Sequence, residues 1–105
     1  MPNQSISPQS ANGMVQEYSS YMTGLGVNMS TQTQSVSFDS ATLMHWLASV
    51  MGSADELRVF MGRYPAGQPN AGRTSVVLWP YKNGSPATDS GGNGINPFND
   101  GHGIP

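Results

Sequence analysis

Two stretches of this chain alternate large side chains onto both faces of a strand. Glu56 to Tyr64 sets Leu57, Val59 and Met61 against Arg58, Phe60 and Tyr64, with Gly62 on the second side. Arg73 to Trp79 sets Val76 and Leu78 against Ser75, Val77 and Trp79. A period of two is the signature of strands. The link between them, PAGQPNAG, is rich in turn residues, so an antiparallel hairpin over about 56–64 and 73–80 follows. Pro80 is expected to end the second strand or to lie at a sheet edge. A sheet with two apolar faces needs cover on both. Residues 34–82 alone would bury little, because a chain of about 50 residues has a high surface-to-volume ratio.

One cover is a helix over about 40–51. Asp39 or Ser40 can cap it, and Leu43, Met44, Leu47, Val50 and Met51 fall on one face before Gly52 stops it. Trp46 lies on the flank of that face, while Thr42, His45 and Ser49 point away. A second amphipathic helix is expected over about 10–23. Its stripe is Ala11, Met14, Val15, Tyr18, Tyr21, Met22 and Leu25, with Ser10 as cap and Gly24 as the terminating left-handed residue. Gln34 to Phe38 can form a short first strand. The first helix, the glycine-rich tail and another copy of the chain are the candidates to cover Phe60, Tyr64, Val77 and Trp79.

The expected fold class is α+β: a small antiparallel sheet packed on the 40–51 helix, with an N-terminal amphipathic helix and a long irregular C-terminal tail. The expected zones are a flexible leader (1–9), an amphipathic arm and linker (10–33), an α+β core (34–82) and a Gly/Asn/Pro-rich tail (83–105). There is no internal repeat of 20–50 residues.

About a third of the residues are Ser, Thr, Asn or Gln, and only 10% are charged, against a usual share of about 25%. Four Lys and Arg give no basic surface for a nucleic-acid backbone. Cysteine is absent, which removes disulfides, thiolate metal sites and Cys nucleophiles. The start, MPNQSISPQSANG, has neither the basic residues nor the apolar run of a secretory signal. The longest apolar stretch, Leu43 to Met51, is far short of the about 20 residues that span a bilayer. The expectation is a chain that is cytoplasmic as synthesised, open to an extracellular or assembled state, and without nucleic-acid or membrane partners.

The strings RVFMGRYP (58–65), TSVVLWPYKNG (74–84) and PFNDGHGIP (97–105) resemble those of a group of short uncharacterised bacterial proteins. These share an R-V-[YF]-x-G-x-Y-P strand, a W-P-Y-K-x-G strand and an N-D-G tail. The resemblance covers about residues 35–105. It implies one unit that includes the tail, and it implies no catalytic residues.

Constellations that carry chemistry are sparse. His45 falls on the polar side of its helix, and His102 lies in the turn-forming run Asn99-Asp100-Gly101-His102-Gly103. No G-x-S-x-G elbow presents a nucleophile, and SGGNG opens no helix that would receive a phosphate. Counted from Asp89, the tail places Asn93 at position 5, Gly94 at 6 and Asp100 at 12 of a calcium-loop pattern. Position 3 is Gly91, which offers no side-chain oxygen. Calcium on Asp89, Asn93 and Asp100 is therefore the alternative expectation, as a small ligand- or divalent-ion-binding module using the 89–102 loop. No other cofactor is expected.

The leading expectation is a non-catalytic structural or interaction protein that binds itself or another protein. Phe60, Tyr64, Trp79, Tyr81 and Trp46 are its candidate contact residues, because aromatic side chains bury the most area per residue. Low charge points the same way, since charge is what keeps surfaces apart. Only Glu17 is charged before Asp39, which leaves the N-terminal third a nearly neutral arm.

Overall fold

A computed structural model describes residues 3–68, 71–99 and 102–104, and it has the α+β architecture. The chain forms two compact units, residues 1–32 and 33–105.

The first unit holds helix α1 (Pro8–Gly24). Ser7, not Ser10, caps it: the Ser7 hydroxyl accepts the Ser10 amide at 3.1 Å, and Pro8 occupies the first turn, where its missing N–H costs nothing. The helix also includes Gly24 as its last residue. Gly26, at φ +89°, takes the left-handed turn, and the Val27 amide reaches back to the Met22 carbonyl at 3.1 Å. Gly24 is too early for that role because the helical ladder still uses its neighbours. No residue of α1 is buried.

The second unit begins with strand β1 (Ser35–Ser37) and helix α2 (Ser40–Val50). Asp39 caps α2, its carboxylate accepting the Thr42 amide at 2.9 Å and the Thr42 hydroxyl at 2.7 Å. The inward residues are Leu43, Trp46, Leu47 and Val50, of which Val50 is buried. Met44, expected on that face, is 68% exposed, and Trp46 takes its place. A short 3-10 turn, Met51–Ser53, closes the helix.

Strands β2 (Glu56–Arg63) and β3 (Thr74–Lys82) pair antiparallel, with Glu56 opposite Tyr81, Val59 opposite Leu78 and Arg63 opposite Thr74. Strand β4 (Ser85–Pro86) folds back on β3, with Tyr81 opposite Pro86. The turn between them is Asn83-Gly84, at φ 53° and 80°, the left-handed pair that a two-residue hairpin demands. The sheet order is β2-β3-β4. Strand β5 (His102–Ile104) pairs with β1, Val36 opposite Gly103.

Pro80 neither ends β3 nor sits at the edge. It is fully buried in the middle strand. The pairing permits this. The Ala87 amide donates to the Pro80 carbonyl at 2.9 Å, so the polar side of Pro80 faces β4 and not β2. Its missing N–H therefore breaks no bond to Leu57 opposite.

The tail supplies part of the sheet. The Phe98 amide donates to the Leu78 carbonyl and the Leu78 amide to the Phe98 carbonyl, each at 2.9 Å. This pair puts the Phe98 side chain on the Leu78 face. There the Phe98 ring lies 5.0 Å from Trp46 and 5.5 Å from Phe38. Leu78, Pro80, Ala87 and Val50 are the buried apolar residues among those described in the unit. Cover thus gathers on the β3 side. Val59 and Met61, expected beneath a helix, stay 60% and 72% exposed on β2.

Because Phe98 joins helix, sheet and the Phe38 segment, Phe98→Ala should cost about 2–3 kcal/mol, below the full value for a wholly buried ring. Urea denaturation followed by tryptophan fluorescence measures it. The Thr42 amide and hydroxyl hold the Asp39 carboxyl below the ordinary aspartate value. A lowered folded pKa gives stability that is present above the unfolded pKa and lost as pH falls through the folded one. Acid titration of unfolding should show this loss below about pH 4. Asp39→Asn, which still caps the helix, should flatten that limb and change neutral stability little.

Candidate interaction surface

Residues paired across β2 and β3 share a face, so Glu56, Arg58, Phe60 and Gly62 lie with Tyr81, Trp79, Val77 and Ser75. Three rings meet there. Phe60 is 5.8 Å from Trp79 at 72° and 6.0 Å from Tyr81, and Trp79 is 6.4 Å from Tyr81 at 75°. These tilted and edge-to-face arrangements satisfy the ring quadrupoles. They also leave no coplanar row of the kind on which successive bases or sugar rings would stack.

The Arg58 guanidinium stands 4.1 Å from the centre of the Tyr81 ring. Glu56 holds it there, accepting from Arg58 Nε at 2.9 Å and from Nη2 at 2.8 Å. Both side chains are more than 40% exposed, so the ion pair adds little stability. Its effect is on position: it lays a cation over an aromatic face and neutralises the two charges at that end of the surface. Phe60, at the centre, is 38% exposed.

The five contact residues expected from the sequence separate into three places. Phe60, Trp79 and Tyr81 form the cluster just described. Tyr64 lies on the same face toward the hairpin end, where its hydroxyl is 3.4 Å from Asn99 Oδ1. Asn99 is in turn anchored by donating from Nδ2 to the Val76 carbonyl at 2.7 Å. Trp46 is on the other face, against Phe98. Near Tyr64 a shallow recess of about 190 Å3 is lined by Gly62, Tyr64, Ser75, Val77 and Asn99. The Ser75 hydroxyl is buried there without a hydrogen-bond partner among the described residues.

Two further apolar features are exposed. One is the Val59 and Met61 pair on β2. The other is the α1 stripe, where Met14, Val15, Tyr18, Tyr21 and Leu25 are all exposed. The alternation and the helical period were visible; which side of each pattern meets a partner is set by tertiary packing alone.

In the tail loop, Asp89 Oδ1 accepts the amides of Gly91 and Asn93, each at 2.9 Å, and the Asp89 amide donates to the Asn93 carbonyl at 2.8 Å. The carboxylate thus closes a turn on its own backbone. Asn93 is exposed, and Asp100 lies outside the described residues. Among the described residues no three His, Asp or Glu side chains gather as a metal group. His45 is exposed on α2. No described helix is long and apolar enough to cross a membrane.

No protein-family model matches the chain, and neither the curated proteins nor the solved structures contain a significantly similar one.

Asp89→Ala should lower stability by about 1 kcal/mol through the two lost amide bonds. The loss should be the same with and without millimolar calcium in a thermal melt.

Proposed function

We propose that the chain is a non-catalytic structural or interaction protein that associates with itself through the aromatic face of the β2–β3 hairpin. The observation that carries the reading is the Phe60, Trp79 and Tyr81 cluster, which stays part-exposed at the centre of a sheet face. Rings held mutually by edge-to-face contacts are preorganised, so association costs them little side-chain entropy. Arg58 beside them is the other residue type enriched where protein surfaces bind.

Size limits what this face does alone. Each ring offers about 150–250 Å2, much of it already covered by the other two. A stable interface takes about 800 Å2 from each partner. The cluster is therefore the centre of a larger contact. The exposed, nearly uncharged stripe of α1 is of the right composition to contribute, because no like charges oppose its burial.

Light scattering at two concentrations tests the reading. The mean mass should rise with concentration, and Phe60→Ser with Tyr81→Ser should weaken association at least about tenfold. A species that stays strictly monomeric at millimolar concentration would remove the proposal.

A further inference from the structure

The free edge of β2 carries more information than the faces. We infer that β2 pairs antiparallel with β2 of a second copy, about a two-fold axis through Val59, joining two β2-β3-β4 sheets into one. This rests on the self-association just proposed and adds to its aromatic face a backbone contact along the adjoining edge.

Backbone direction comes first. Both polar groups of Leu78 go to Phe98. In an antiparallel ladder the two groups of a residue point the same way. Leu78 therefore turns away from β2, and Val59, opposite it, turns away from β3. The Tyr64 amide donates to the Arg73 carbonyl, which fixes the same alternation from the other end: even positions of β2 bond to β3. Leu57, Val59, Met61 and Arg63 thus present their N–H and C=O groups outward, and β2 is the terminal strand of its sheet.

Edge strands are ordinarily guarded by proline, lysine, a bulge or short length. Here β2 runs for eight residues with no proline or lysine, paired without a break to β3. Val59 and Met61, exposed on the face opposite Phe60, stand beside the open backbone. Arg58 is neutralised by Glu56 within the strand.

Symmetry then selects the register. A two-fold that keeps the faces aligned pairs odd positions with odd positions, which is also what outward-facing groups require. Centred on Val59, it sets Leu57 opposite Met61 of the second copy, Val59 opposite Val59, and Met61 opposite Leu57. That makes three apolar pairs on one face and about six backbone hydrogen bonds. On the other face Arg58 comes opposite Phe60, a cation beside a ring. A register centred on Phe60 would instead set Leu57 against Arg63. Pairing through Val59 also makes the two Phe60, Trp79 and Tyr81 clusters continuous, which supplies the area that one cluster lacks.

Residue-resolved amide exchange on the full chain, below and above the association midpoint, tests this. In the monomer, Arg58, Phe60 and Gly62 should exchange slowly and Leu57, Val59 and Met61 fast. In the associated state all six should be slow. The chain has no cysteine, so Val59→Cys gives a unique thiol whose two copies would stand about 5.5 Å apart between Cα atoms, within disulfide reach. Mild oxidation should yield a covalent dimer from Val59→Cys and not from Ser85→Cys. Val59→Lys, at an exposed position, should weaken association at least about tenfold by opposing like charges. If the chain associates but the odd amides stay fast and Val59→Cys does not cross-link, edge pairing is wrong and a face-to-face contact stands. If nothing associates at any concentration, both fall.

Discussion

The backbone pair between Leu78 and Phe98 is the constraint on which the second unit depends. Without it, β2 and β3 would be a two-stranded ribbon over most of their length, flanked only at one end by the two-residue β4, and such a ribbon is at best marginal in water. With it, the tail becomes a third lane beside β3, and the Phe98 ring is delivered to the side where Trp46 and Phe38 wait. One pair of hydrogen bonds thus carries a long-range aromatic core. The tail is short of apolar residues, so the single large one it places against α2 has to be set by backbone pairing.

The same pair determines what remains open. By turning toward Phe98, Leu78 fixes the alternation along β3, and through it the direction of every polar group on β2. It draws cover to the tail side of the sheet, so the buried residues collect along β3, while Val59 and Met61 are left out. The exposed edge is therefore the far consequence of how the tail docks. Strand β3, central and with Ser75, Leu78 and Pro80 buried, tolerates even a proline because that nitrogen faces away from β2 and the Ala87 carbonyl on its side accepts the Ile95 amide instead.

Much of this was legible in the chain. The two-residue period named both strands and divided their faces correctly, and Asp39 announced α2. Three features were not. Asn83-Gly84 is a strong hairpin signal, but its flanks, Lys82 and Ser85, lack the apolar alternation that marks a strand pair, so the turn read as the start of a tail. The inward face of α2 rotated from Met44 to Trp46, because a ring in reach of Phe98 outweighs a helical average. Residues 97–99 carry no period at all, since one residue paired by its backbone leaves no pattern. The three-ring cluster was foreseeable from alternation, whereas the separation of Tyr64 and Trp46 from it depended on where Asn99 and Phe98 came to rest.

Low charge gains a specific meaning from this geometry. A strand edge is kept solitary by charges placed along it or by cover laid over it. In β2 the charges are at the ends, Glu56 and Arg58 at one and Arg63 at the other, and the first two cancel. Between them lie Val59, Phe60, Met61 and Gly62. Glycine and the flexible methionine make that middle easy to approach closely. A chain with an ordinary share of lysine on this strand would have closed the edge electrostatically. Here nothing on the described strand does so, and the surface that the aromatic face needs to complete is the one that the sparse charge leaves available.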